Sequence, residues 1–168
     1  MEYRYVEAIL AKLHGVTGDG MGAFRARLRV LRSMGVPKLP LVGRGARQKF
    51  SGADLADLHL ALTLGEFGLP PARIIEVVRR TEKLRVWPPH PPDGTWLVIS
   101  RRSDHEGRER LSEDELLCVE IVEATDLLRH LENPKLNGLL AWHALLNLEK
   151  FTQDIQIHNP TQIGGHCS

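Results

Sequence analysis

The chain has 168 residues, which allows one domain or two small ones and excludes a large multidomain enzyme. Hydrophobic residues make up 42% and charged residues 26%, a globular balance that excludes wholesale disorder. The net charge of +1 conceals an asymmetry: residues 1–85 carry 15 Lys and Arg against 8 Asp and Glu, whereas residues 86–168 carry 7 against 13.

No apolar run reaches the roughly 20 residues that span a bilayer, so no membrane partner is expected. Residues Met1 to Tyr5 lack the basic start and apolar core of a secretory signal. Two cysteines, Cys118 and Cys167, cannot build a disulfide framework, so the expected location is the cytoplasm. The positive excess lies within residues 1–50, where 10 basic residues face 3 acidic ones. A basic part joined to an acidic part predicts one portion that meets a polyanion and another that does not.

In chain order, Glu2 to His14 carries Tyr3, Val6, Ile9, Leu10 and Leu13 at the spacing of one buried helical face, with Gly15 placed to end it. A second helix is predicted from about Gly22 to Met34, burying Phe24, Leu28 and Leu31 and stopped by Gly35-Val36-Pro37. Arg25, Arg29 and Arg32 form a stripe beside that face and Arg27 flanks its other side, while the outermost positions, Gly22, Ala26 and Ser33, are small. Guanidinium groups at the edge and little bulk at the crest suit entry into a DNA major groove. The bland alternative is a solvated arginine-rich helix.

Residues Lys38 to Phe50 have no helical period and read as a small hairpin or loop. Lys38, Arg44, Arg47 and Lys49 suit phosphate and minor-groove contact, with Gly43 and Gly45 letting the backbone bend. Ser51-Gly52-Ala53-Asp54 reads as a capping box opening a helix with Leu55, Leu58 and Leu62, which ends near Gly68. Pro70-Pro71 can begin a fourth helix whose core face is Ile74, Ile75, Val77 and Val78.

Helix, turn, arginine-bearing helix ending in Met34-Gly35-Val36-Pro37, a glycine- and arginine-containing insert, Lys49-Phe50-Ser51, a helix opened by Asp54-Leu55, and Glu66-Phe67-Gly68-Leu69: over residues 5–80 this order resembles the MerR-type winged helix-turn-helix. The resemblance implies a second helix docked in the major groove of double-stranded DNA and a wing on the backbone or minor groove. It places Arg29 where the family usually has an arginine. Two features depart from the pattern. Val30 and Leu31 stand where the family has paired tyrosines, and Gln48 stands at its wing arginine, with Arg47 and Lys49 flanking it as the expected substitutes. The family's long dimerisation helix also has no counterpart, because Ile74 to Lys83 is short and prolines follow. That points to a phage- or plasmid-type regulator rather than a metal sensor.

Trp87 to Gly94 holds four prolines and a glycine in eight residues, which predicts an extended linker, with a surface loop as the alternative. Thr95 to Arg101 has strand composition. Leu116 to Val122 is expected to pair with it across a charged turn; the competing reading is a helix capped at Ser112. Leu127 to Leu131 reads as helical, and Leu136 to Phe151 as a helix apolar around much of its circumference, buried in a core or against a second copy. The tail from residue 156 is expected to be mobile.

His158, His166, Cys167 and Cys118 lack the short paired spacing of a structural zinc site, and His143 reads as a packed histidine. Asp104-His105-Glu106 sits in a charged turn without a nucleophile pattern, and no phosphate loop, dinucleotide fingerprint or nucleophile elbow occurs. No cofactor, metal or enzymatic activity is therefore expected.

The expected fold class is mainly α with a small β component: a winged helix-turn-helix over residues 1–85, a linker over 86–94, and a small α+β dimerisation or regulatory domain over 95–155. The expected function is sequence-specific, homodimeric DNA binding in transcriptional regulation, through Arg25, Arg29, Arg32, Lys38, Arg44, Arg47, Gln48 and Lys49. Two alternatives stand beside it. One is an adaptor whose basic face meets an acidic protein such as an RNA polymerase subunit, or the chain's own acidic half; the other is a small enzyme within residues 95–151.

Overall fold

The computed structural model describes residues 1–39, 48–84, 94–102, 117–131 and 140–158. The described chain is mainly helical with one small antiparallel sheet. It divides into two compact units, Met1–Pro89 with Thr152–Ser168, and His90–Phe151. The break between Pro89 and His90 falls inside the proline-rich stretch of the sequence.

In the first unit, α1 (Tyr3–Leu13) buries Val6, Leu10 and Ala11, and α2 (Met21–Ser33) buries Phe24, Leu28 and Leu31. Both faces follow the predicted spacing. A short 3-10 turn at Gly18–Gly20 leads into α2.

The end of α2 has a specific chemistry. The Val36 amide donates to the Leu31 carbonyl and the Gly35 amide to the Arg32 carbonyl, each at 3.0 Å. This pattern satisfies two carbonyls that the last turn leaves unpaired, and it requires a left-handed residue, here Gly35 at φ 83°. Val36 and Leu31 are both buried, which supplies the apolar contact that usually accompanies such an ending. The same hydrogen-bond pattern closes α1 at His14–Val16 and α3 at Phe67–Leu69.

The predicted capping box opens α3 (Gly52–Glu66). Ser51 Oγ accepts from the Asp54 amide at 3.1 Å, and Asp54 Oδ2 accepts from the Ser51 amide at 2.6 Å. Every residue from Leu55 to Leu62 is buried, so α3 is enclosed around its circumference rather than along one face. Helix α4 (Pro71–Leu84) buries Ile74, Val77 and Val78, and Glu76 bridges Arg73 and Arg80 at 2.8 and 2.7 Å.

In the second unit, β1 (Thr95–Arg102) lies between β2 (Leu117–Glu123) and β3 (Leu140–Asn147), antiparallel to both. Leu97 faces Ile121 on one side and Leu146 on the other, and the register with β3 shifts between Arg101 and Arg102. Helix α5 (Ala124–Leu131) follows β2 directly, its first amide donating to the Gly94 carbonyl at 2.8 Å. Helix α6 (Leu148–His158) follows β3, and its residues from Thr152 onward belong to the first unit.

Two expectations are corrected here. The segment read as a helix over Leu136–Phe151 forms strand β3 over Leu140–Asn147 and then the start of α6. Its unbroken apolar run suits a strand in a packed sheet as well as a buried helix, and period alone does not separate them. His143 accordingly sits on a strand, at the register position opposite Ser100. Second, α6 continues to His158, so the expected tail starts inside a helix. The proposed pairing of Leu116–Val122 holds over Leu117–Glu123, which decides against the alternative helix there. The linker at Trp87–Asp93 lies outside the described residues.

Candidate nucleic-acid interface

Helix α2 carries no acidic residue. With Phe24, Leu28 and Leu31 turned into the core, a period of 3.6 residues puts Gly22, Ala26 and Ser33 on the opposite crest, Arg29 and Val30 on its two shoulders, and Arg25, Arg27 and Arg32 at the edges. The exposures agree: all of these side chains are solvent-accessible. A short crest with longer cations at its margins lets a helix axis come close to a duplex floor while the guanidiniums reach the groove walls.

The arginines do not play equal parts. Arg25 Nε donates to Glu7 Oε1 of α1 at 2.7 Å, so this cation is committed to a neighbouring helix. Arg32 lies over the Tyr3 ring at 4.4 Å and near the Phe50 ring at 5.8 Å, and it donates to Gln48 Oε1 at 3.3 Å. Arg32 therefore joins the end of α2 to α1 and to the residues that precede α3. Arg27 and Arg29 are exposed and make no ion pair among the described residues.

The return of the chain toward α3 is held firmly. Glu2 and Lys49 form an antiparallel bridge, the Phe50 amide donates to the Met1 carbonyl at 2.9 Å, and the Met1 ammonium donates to the Phe50 carbonyl at 2.6 Å. Phe50 is buried against Tyr3 with ring centroids 5.8 Å apart. Lys49 stays exposed, as does Lys38, which follows the cis Val36–Pro37 bond. Gln48 is half-buried and is spent on Arg32. Arg44 and Arg47 lie outside the described residues, as do Gly43 and Gly45. The structure thus joins Arg25, Arg32 and Gln48 to neighbouring side chains and leaves Arg29, Lys38 and Lys49 outward.

Two features of this unit carry no local sequence signal. One is the fixing of Arg32 by Tyr3 and Phe50, residues far apart in the chain. The other is a chain of side chains from α3 to the end of α1: Glu66 Oε1 lies 2.7 Å from His14 Nδ1, and His14 Nε2 lies 2.9 Å from His59 Nδ1. These contacts link the Glu66 carboxylate to both rings, with donor and acceptor roles set by the tautomers. Burial, and secondarily the nearby His14, hold the His59 pKa down at about 3. Both nitrogens of His14 are occupied, and among the described residues no group of three or more His, Cys, Asp or Glu side chains could hold a metal ion.

No protein-family model matches the chain, and no curated protein matches it in sequence. Among the described residues no helix is long and apolar enough to cross a membrane.

Proposed function

We propose that the protein is a sequence-specific DNA-binding regulator of the winged helix-turn-helix kind, which lays α2 in the major groove. One observation carries this reading: α2 exposes Arg27 and Arg29 around a crest of Gly22, Ala26 and Ser33, without an acidic residue, on a helix fixed from behind by Phe24, Leu28 and Leu31. Lys38 and Lys49 emerge at the two ends of the segment that follows α2 and add phosphate contacts. Arg44 and Arg47 belong to that segment and complete the cationic set. Arg25 and Arg32 act differently, holding the helix in place through Glu7 and through Tyr3, Phe50 and Gln48. The protein works in the compartment that holds DNA, the cytoplasm, as a homodimer on a two-fold site.

The test is selection of duplexes from a randomised pool by the full chain, followed by anisotropy titration of the recovered sequence. Enrichment of one site, as an inverted repeat, is the expected result. Failure to enrich any duplex, together with equal affinity of wild type and the Arg27→Ala/Arg29→Ala variant for random DNA, would remove this reading.

A further inference from the structure

Val30 is half exposed, at 50%, on a helix whose other outward positions are small or cationic. Its place is peculiar on energetic grounds. A β-branched residue is a weaker helix former than Ala, Lys or Glu, and at this exposure burial contributes little to offset that. A single exposed aliphatic side chain is ordinarily unremarked on a protein surface. Here it shares the groove-facing side with Arg29, on the opposite shoulder of the same small crest, one residue along the chain. Ser33 Oγ donates to the Val30 carbonyl at 2.7 Å, so that hydroxyl is turned back onto the helix and does not extend beyond it. What the Val30 shoulder offers a partner is two methyl groups.

Those methyls have little rotamer freedom to lose, because χ1 of valine in a helix is essentially fixed. The major groove presents one apolar group that fits such a surface, the C5-methyl of thymine. We propose that Val30 is a specificity-determining residue that reads a thymine methyl, resting on the DNA-binding reading above. Adjacent Cα atoms lie about 3.8 Å apart, close to the base-pair rise of about 3.4 Å. The thymine is therefore expected within a step or two of the base read by Arg29. Replacing that thymine with uracil removes the methyl and nothing else from the groove edge.

The experiment uses the full chain and the duplex recovered from the randomised pool, resynthesised with deoxyuridine for each thymidine in turn. Wild type is expected to lose about fourfold in affinity at one thymine, the value of one buried methyl group. Val30→Ala, which leaves the core untouched and is expected to melt at or slightly above the wild-type temperature, should bind the thymine and uracil duplexes equally. An equal uracil penalty in wild type and Val30→Ala overturns the assignment, as does the absence of any thymine whose replacement affects wild type. In both cases DNA binding itself survives. If no duplex is enriched, the DNA-binding reading fails, and the role of Val30 fails with it.

Discussion

Arg25, Arg29 and Arg32 are the same residue type on one helical stripe, yet their surroundings divide them. Arg29 faces outward without an ion pair among the described residues, so Arg29→Ala should weaken binding and relax base preference at one position by ~1–3 kcal/mol, measured by titrating single-base variants of the selected duplex. Arg32 is stacked on Tyr3 and bonded to Gln48. Arg32→Ala is therefore expected to lower stability by about 0.5–1 kcal/mol in urea melts and to weaken all duplexes alike, with base preference unchanged. Spacing revealed the stripe. It did not reveal the division of labour, because Glu7, Tyr3 and Phe50 become neighbours of these arginines only through tertiary packing.

His59 gives a second expectation at this scale. Its folded pKa of about 3 lies below the 6.5 of an open chain, so the unfolded state takes up the proton first as pH falls. Stability is then full above about pH 6.5 and declines as pH drops toward 3. From pH 7.5 to 5 the loss from this group should be about 2 kcal/mol. Urea melts at the two pH values measure it, and His59→Leu should lack that part of the difference.

At the scale of elements, the helix boundaries were the most readable part of the chain, because each is set by local chemistry. Ser51 and Asp54 form the reciprocal cap that their spacing predicts, and Gly15, Gly35 and Gly68 each stand two residues past a helix end. Gly35→Ala places a Cβ at φ 83° and should cost about 1–2 kcal/mol in thermal or urea unfolding, loosening the end of α2 where Arg32 sits. Strand β3 was not readable in the same way. Leu139 to Leu146 contains no breaker and is apolar at every position except His143, so its sequence fits a buried helix, and only pairing with β1 decides otherwise. Full enclosure of α3 was likewise hidden, since Asp57 and His59 look like solvent-facing residues and both are buried.

On the scale of the whole molecule, the contrast between a basic first half and an acidic second half bears on how a polyanion is met. If Arg27, Lys38, Arg44, Arg47 and Lys49 of each head displace one counterion apiece, the log of affinity should fall with the log of salt with a slope of about −9 for the homodimer. Titration between low and moderate salt gives that slope directly. A slope near zero on random DNA would mean that these cations are not spent on phosphates.

The middle strand of the sheet offers a different kind of readout. Strand β1 is paired along both edges, and Leu97, Val98, Ile99 and Ser100 in succession are at most 3% exposed. Such amides become accessible to deuterium only when the sheet comes apart, so their isotope uptake is a clock for the opening of that unit. A small molecule or second copy that grips this unit would slow the clock without any need to know its identity beforehand.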